Sequence, residues 1–342
     1  MNKRVAHLDE LPHNYSDKLI DNYGRHISYL RIAVTDRCNL RCQYCMPAEG
    51  IPFDGHDAIL SYEEILRLLE IAASLGITKI RFTGGEPFAR KDFMHLFEKT
   101  VAVSGIEEIH ITSNGVSLAE HVQTLRDLGV SGINLSLDTL DSKRFFAITR
   151  RDYFSHVMNS IESVLAASIP LKINSVIQDG FNTDEIVDLA RLAENKPITV
   201  RFIEQMPFNG SGQKVGVDWD GQRIFDELQK AWPAINRVAC NSGTAKLFAV
   251  ANFEGMLGII NAHSRQFCTT CNKIRITPTG MLKTCLYDNG VIDVKAMLRD
   301  KKDDRSLKNA IVSSINNRFI NGHEAQARSS NGKEPSMATI GG

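Results

Sequence analysis

The sequence predicts an α/β fold: a partial (βα)6 barrel, left open where a full TIM-like barrel would close. Three observations carry that reading. Between Tyr29 and Glu204, six short runs with strand character alternate with amphipathic stretches, as parallel strands with crossover helices do. Each run is apolar on one face and largely polar on the other, although a parallel strand covered on both faces is normally apolar on both. Six units fall short of the eight that close such a barrel.

Taken in order, the strands are expected at Tyr29–Thr35, Thr78–Thr83, Glu107–Thr112, Gly132–Leu137, Leu171–Ile177 and Thr199–Glu204. In the first, Ile32 and Val34 alternate with Arg31, Ala33 and Thr35. In the second, Ile80 and Phe82 alternate with Lys79, Arg81 and Thr83. His110 and Thr112 share the polar face of the third, and Asn134, Ser136 and Asp138 that of the fourth. Lys172 and Asn174 hold the polar face of the fifth, and Arg201 that of the sixth. Crossover helices must cover the apolar faces, so the polar faces look into the lumen. A lumen presenting Arg31, Lys79, Arg81, Lys172 and Arg201 is not the branched aliphatic filling of an ordinary barrel. It calls for a polar ligand. The clearest helix is Ser61–Leu75, where Ser61 and Glu64 make a capping box ahead of Ile65, Leu68 and Leu69.

After Pro207 the pattern changes. Phe208–Gly216 reads as a loop and Asp218–Ala231 as an amphipathic helix. Lys246–Ala251 and Gly258–Asn261 read as strands, and Lys273–Thr277 with Met281–Thr284 as a hairpin around Pro278-Thr279-Gly280. Helices are expected near Asp293–Arg299 and Ser306–Phe319. The expected organisation is a barrel core over residues 24–207, a C-terminal segment over 208–320, and a flexible tail over 321–342 that ends in Gly341-Gly342.

Forty basic and forty acidic side chains cancel, which argues against a general nucleic-acid binder. No apolar run approaches the roughly 20 residues that span a membrane, and Met1–His13 has no apolar segment of the kind a signal peptide carries. The expectation is a cytoplasmic protein, whose seven cysteines stay reduced and serve metals rather than disulfides.

Cys38, Cys42 and Cys45, spaced C-x₃-C-x₂-C, follow the first strand at the rim where barrel active sites form. Structural zinc wants four protein ligands, and no histidine lies between His26 and His56 to supply one locally. A [4Fe–4S] cube held by three thiolates leaves one iron open to another ligand. Cys268, Cys271 and Cys285 form a second trio, C-x₂-C-x₁₃-C. There His263 could complete a Cys₃His site, so zinc and a second cluster both stay open on spacing alone. Cys240 is left over as a small buried hydrophobe. Thr83-Gly84-Gly85-Glu86-Pro87 follows the second strand on the same rim. Its paired glycines let backbone approach a ligand, and Glu86 could accept a hydrogen bond from an ammonium group.

On Cys38, Cys42 and Cys45, with Tyr44 between the last two, and on Gly84-Gly85-Glu86-Pro87, the chain resembles the radical S-adenosylmethionine superfamily. That resemblance implies a cluster whose fourth iron chelates S-adenosylmethionine and cleaves it to methionine and a deoxyadenosyl radical. The runs Leu30–Cys42, Lys79–Thr83, Ile133–Asp138 and Arg201–Glu204, the second trio and the final Gly-Gly are similar to the GTP 3′,8-cyclase family of molybdenum-cofactor biosynthesis. Residues 208–250 carry little of the likeness.

This closer resemblance implies two [4Fe–4S] clusters, the second on Cys268, Cys271 and Cys285 with its open iron toward the guanine of GTP. S-adenosylmethionine contacts would fall on Tyr44, Gly85, Ser136 and Met206. GTP contacts would fall on Arg31, Arg81, Thr112, Lys172, Lys273 and Arg275, with Lys79 and Arg201 as further contacts. Guanidinium forks suit phosphate oxygens, and the family's usual arginine is a lysine at Lys273, which keeps the charge without the fork. Gly341 and Gly342 would reach back into the active site. The implied reaction abstracts hydrogen from the 3′ carbon of the ribose, after which the sugar radical attacks carbon 8 of guanine. The implied partners are a reducing protein and the next pathway enzyme, which makes cyclic pyranopterin monophosphate; a homodimer is admitted. Two alternatives stay open: a radical enzyme with an auxiliary cluster that modifies peptides, and a non-catalytic zinc-binding module.

Overall fold

The structure, a computed structural model, describes residues 19–208, 210, 218–239, 243–265, 267–329 and 335–341. Its strands are β1 (Tyr29–Ala33), β2 (Lys79–Thr83), β3 (Glu108–Ser113), β4 (Gly132–Ser136), β5 (Leu171–Ile177), β6 (Thr199–Glu204), β7 (Asn236–Val238), β8 (Lys246–Ala249), β9 (Met256–Ile260), β10 (Lys273–Ile276), β11 (Met281–Lys283) and β12 (Ile292–Asp293). They form one sheet in the order β12-β11-β10-β1-β2-β3-β4-β5-β6-β9-β8-β7. The six expected parallel strands are present, four of them with ends moved by a residue or two. The run of parallel neighbours is longer than expected, because β10 pairs parallel with β1 and β9 parallel with β6. The C-terminal segment thus supplies one parallel strand at each edge. Antiparallel β11–β12 and β8–β7 extend the sheet beyond them. Among the described residues β9 and β10 do not pair with each other, so the barrel stays open.

The helices α1 (Tyr62–Ser74), α2 (Phe93–Val101), α3 (Val122–Asp127), α4 (Ser142–Thr149), α5 (Phe154–Ala166) and α6 (Ile186–Arg191) follow the first strands in turn. The capping box at α1 is formed: the Ser61 side chain accepts from the Glu64 amide, and the Glu64 carboxylate accepts from the Ser61 amide. Ile32, Phe82, Ile111, Leu135, Ile173 and Phe202 lie in one core with Leu68, Leu69, Phe97, Val157 and Leu189 from the helices. The apolar strand faces are therefore the helix-covered ones, as the alternation requires.

Further on come α7 (Gly221–Ala231), α8 (Val294–Arg299), α9 (Asp304–Asn316), α10 (Gly322–Ser329) and α11 (Met337–Ile340). The flexible tail expected from residue 321 gives way to α10 and α11. Met337 donates its amide to the Phe208 carbonyl at 3.0 Å, and the Ser336 hydroxyl donates to the Cys45 carbonyl at 2.6 Å. These contacts, with buried Ala338 and Ile340, hold the segment against the barrel. Most of the expected loop Phe208–Gly216, and Cys240, lie outside the described residues.

Glu204, fully buried at the end of β6, ties this edge together. Its carboxylate accepts from the amides of Gly221 (2.7 Å), His263 (2.9 Å) and Ser264 (2.9 Å), and from Asn261 Nδ2 (3.0 Å). Glu204→Ala leaves those donors without their acceptor, and hydrogen bonds to a charged group are each worth about 1.5–3 kcal/mol. Urea denaturation should show a loss of about 3 kcal/mol or more. An unchanged midpoint would refute the assignment.

Candidate active site

The first cysteine loop is pinned from two sides. Arg41 and Gln43 donate their amides to the carbonyls of Thr149 (2.9 Å) and Ile148 (3.0 Å) at the end of α4. On the other side the Gly-Gly turn after β2 locks onto the loop's base: Gly85 donates to the Thr35 carbonyl and Glu86 to the Arg37 carbonyl, both at 2.8 Å. Gly84 has φ +152°, and a Cβ on Gly85 would stand 2.3 Å from the Arg37 carbonyl oxygen. Only glycine permits this approach. The cavity behind the loop is lined by Cys38, Cys42, Cys45, Tyr44, Gly85 and Ser136, among others.

Glu86 is a correction. Its carboxylate is fully buried and accepts from the Asn114 amide (2.7 Å), Ser113 Oγ (2.9 Å) and the Phe88 amide (3.3 Å). It is not among the residues that line the cavity. Glu86 braces the turn toward β3 rather than facing a ligand, because the glycines ahead of it turn backbone, not side chain, to the cavity. Burial lifts its pKa to about 7.

The three thiols of this loop are half-buried. Burial, and then the charge of Glu86, raise Cys38 to about 11. Burial and the other two thiols' neighbourhood raise Cys42, and burial with Cys38 and Asp138 raises Cys45. Such thiols ionise only beside a strong positive charge, which a coordinated metal supplies. The Tyr44 hydroxyl donates to Asp138 Oδ2 at 2.7 Å, which fixes the ring between Cys42 and Cys45.

The second trio lies at the other end of the lumen. Cys268 and Cys271 precede β10 and Cys285 follows β11. Because β10 runs parallel to β1 and β11 antiparallel to β10, all three sit at the end where β1 begins, whereas the first trio follows the end where β1 stops. They line a second cavity with Arg31, Lys273 and Arg275. His263 is not on that wall; its amide donates to Glu204. Among the described residues no three His, Cys, Asp or Glu side chains stand close enough together to hold a single ion.

The two cavities, enclosing about 1120 and 1190 Å³ with their open mouths, share Thr112, Asn174, Ile203, Met206 and Met337 as a common wall. The two cavities therefore adjoin along these residues, with one trio lining each. The cations of the polar face come from strand register. Arg31 stands opposite Arg275 on one side and Arg81 on the other, and Tyr29, one rung below, stands opposite Lys273 and Lys79. Burial, then Arg275, Arg81 and Arg201, hold the Arg31 pKa well down; burial and Arg81 bring Arg201 to about 9. Among the described residues, Arg201 Nε and Nη2 and Asn174 Oδ1 are buried without a hydrogen-bond partner.

Three expected ligand contacts share the polar face without lining either of these two cavities. Lys79 is ion-paired with Glu108, and Arg81 donates to the Tyr29 hydroxyl and, at 3.2 Å, to the Ile111 carbonyl. Lys172 is on the same face, its pKa lowered by burial and by Arg201, Arg81 and Lys79. Arg275 Nη1 donates to the Gly341 carbonyl at 2.7 Å; Gly342 lies outside the described residues. Tyr29 was not singled out from the sequence as a site residue. Its place on the polar face beside Arg31 was the available signal.

Residues 32–193 match the radical SAM superfamily and residues 198–323 match the family described as Molybdenum Cofactor Synthesis C. The open α/β barrel with a cysteine trio at its rim is thus that of a radical SAM enzyme. Among solved structures, Streptococcus suis SuiB shares this fold, with TM-score 0.58 and 18% identity over 85% of this chain and 69% of that one. The chain is 41% identical to the GTP 3′,8-cyclase of Moorella thermoacetica over 94% of its own length and 99% of that protein. It is 42% identical to the GTP 3′,8-cyclase of Geobacter sulfurreducens over 82% of its length and 87% of that protein. Human molybdenum cofactor biosynthesis protein 1 is 39% identical over 92% of this chain, which spans 50% of that protein. The chain belongs to the GTP 3′,8-cyclase family.

Two measurements check this geometry. Gly85→Ala drives backbone apart at the base of the first loop, so after anaerobic reconstitution it should hold less iron than the wild type; equal iron contents would refute the clamp. Tyr29 is the second. Burial opposes its ionisation, but Arg81, Arg31 and Lys273 outweigh that and bring its pKa from 10.0 to about 8. A lowered folded-state pKa means that the stabilisation is complete above pH 10 and lost as pH falls through 8. Ultraviolet difference titration of substrate-free protein should show one tyrosinate forming near pH 8, absent in Tyr29→Phe. Identical titrations of the two proteins would refute it.

Proposed function

We propose that this protein is a GTP 3′,8-cyclase, a radical SAM lyase that closes the ribose of GTP onto its base in an early step of molybdenum-cofactor biosynthesis. The observation that carries this reading is the pair of adjoining cavities, each lined by one cysteine trio and one of them by arginines as well, in a chain of this family. A [4Fe–4S] cluster on Cys38, Cys42 and Cys45 would supply the electron that cleaves S-adenosylmethionine. The donor set fits: three half-buried thiols with no fourth protein ligand in the loop, lining one cavity.

Tyr44, Gly85, Ser136 and Met206 would hold S-adenosylmethionine, with Gly85 offering backbone at close range. Arg31, Arg201, Lys273 and Arg275 would hold the triphosphate, and Thr112 on the shared wall would meet the nucleotide where the two cavities join. Lys79, Arg81 and Lys172, on the same polar face, add positive potential to it. The unpartnered Arg201 nitrogens and Asn174 oxygen are groups that a nucleotide would satisfy. Lys273 meets its anion as a point charge, its ammonium 5.5 Å from the Tyr29 ring centre. A second cluster on Cys268, Cys271 and Cys285 would face the guanine. The Gly341 carbonyl, held by Arg275, would orient that guanidinium. A reducing protein would supply electrons, and the enzyme making cyclic pyranopterin monophosphate would consume the product.

SuiB is also described bound to a precursor peptide, but a likeness at 16% identity speaks for fold alone. The lumen-facing cations suit a polyphosphate rather than a peptide.

The test is anaerobic incubation with GTP, S-adenosylmethionine and reductant. Wild type should form deoxyadenosine and a cyclised nucleotide; Cys38→Ala should form neither. Cys285→Ala should lose the cyclised product. Deoxyadenosine formed with peptide but not with GTP would defeat the proposal. In calorimetric titration without chemistry, Arg201→Ala should bind GTP on the order of 10–100-fold more weakly, as expected for a lost charge-assisted contact; unchanged affinity would remove Arg201 from the phosphate site.

A further inference from the structure

A buried charge network stands against the second trio, and two of its members, Arg25 and Arg318, also line the cavity there. Asp21, with no side-chain exposure, accepts from Arg25 Nε at 2.6 Å and faces Arg318 Nη1 at 3.6 Å; the two arginine side chains are 7% and 3% exposed. The other Asp21 oxygen accepts from the amides of Tyr23 and Arg25, both at 2.9 Å, which folds residues 21–25 around the carboxylate. Arg25 Nη1 donates to the carbonyls of Cys268 (2.9 Å) and Ile320 (2.8 Å), and Nη2 to that of Phe319 (2.7 Å). Arg318 Nη1 donates to the Cys271 carbonyl at 2.9 Å, and Nη2 to Cys271 Sγ at 3.2 Å and the Lys273 carbonyl at 3.0 Å. The network thus holds Cys268 by its backbone and Cys271 by backbone and sulfur.

The surroundings of the two trios differ in sign. In the first, Cys38 Sγ receives neutral donors, the Leu40 amide at 3.4 Å and Asn114 Nδ2 at 3.6 Å. The charges acting on those thiols are mainly Glu86 and Asp138, with Arg41 weakly opposed. In the second, burial works against Cys271, but Arg318 and Lys273 lower its pKa, and Arg275 lies within reach of Cys271 and Cys285. The carboxylate on this side is Asp288, which accepts from the Cys285 amide at 2.8 Å and has Lys283 Nζ 4.0 Å away. Two guanidiniums and one carboxylate leave a net positive charge in the Asp21 network, and the trio's thiolates are placed to balance it.

We infer that the Asp21–Arg25–Arg318 network positions the second trio and sets the reduction potential of the cluster held there above that of the first. The inference rests on the second cluster proposed above. A reduced cluster carries one more negative charge, so a guanidinium donating to a ligand sulfur stabilises the reduced form and raises the potential. Asp21 acts against Arg318 by the same physics. Removing one or the other therefore moves the potential in opposite directions, which a loss of structural support does not.

The experiment is a redox titration of the anaerobic full-length protein, followed by electron paramagnetic resonance. Signals are assigned with a full chain in which Cys38, Cys42 and Cys45 are alanine. The wild-type second cluster should have the higher midpoint. Arg318→Gln should lower it, Arg318→Lys should lower it less, and Asp21→Asn should raise it, with the first cluster unmoved in each. Should Arg318→Gln lose the second cluster, the opposite shifts in Arg318→Lys and Asp21→Asn decide. A second-cluster midpoint below the first, no shift in these variants, or shifts of one sign overturn the inference. Iron content separates the two failures: about four rather than about eight irons in the wild type removes the second cluster itself, whereas about eight irons with unmoved potentials overturns the role of the network alone.

Discussion

Three arginines abreast on neighbouring strands are the constraint around which the rest is arranged. Arg275, Arg31 and Arg81 face one another across β10, β1 and β2, and like charges directly opposite on a sheet repel. They also lie in a lumen that burial makes expensive for charge, as the lowered pKa values of Arg31, Arg201 and Arg275 record. Such a row persists because the sheet is held elsewhere, by the helix-covered face on which Ile32, Phe82 and Ile111 pack. The apolar side of each strand supplies stability, and the polar side stores unfavourable charge that an anionic ligand relieves. Local compensation is partial: Tyr29 takes the Arg81 hydrogen bond and Glu108 takes Lys79.

The cysteine loops show two ways of preparing a metal site. The first is positioned by backbone. Glycines at Gly84 and Gly85 let one turn press on another, and Glu86 is used up in bracing it. The second is positioned by side chains, chiefly the guanidiniums of Arg25 and Arg318 on the carbonyls around Cys268 and Cys271. The first leaves its thiols among carboxylates and the second among cations. The two sites are therefore electrically unlike although both offer three thiolates.

Much of the candidate site was legible because strand alternation is local. Arg31, Thr112, Ser136, Asn174 and Arg201 could be placed on the lumen face by counting residues two apart, and each lines one cavity or both. Counting gives a face but not the partner that a side chain's tip finds. Lys79 and Arg81 share the face of Arg31, yet their tips are taken by Glu108 and Tyr29. Glu86 was misread for a related reason, since a turn motif does not say which way its one side chain points. The tail was read as flexible because its composition is polar, although Ser336 and Met337 find partners at Cys45 and Phe208, far back in the chain.

By itself the sequence determined the strand–helix alternation, the polar inner face, the two thiolate trios and the glycine turn, because each depends on neighbours within a few residues. Only the tertiary structure decided that β9 and β10 join the parallel sheet at opposite edges, since partners as distant as Arg31 and Arg275 leave no local trace. That pairing sets the second trio at the far end of the lumen from the first and brings Arg275 and Lys273 into line with Arg31 and Tyr29. Asp21, Arg25 and Arg318 likewise meet around Cys271 only when the chain's two ends come together. A charge acts through space, so which charges act on which site is a property of the fold and not of residue order.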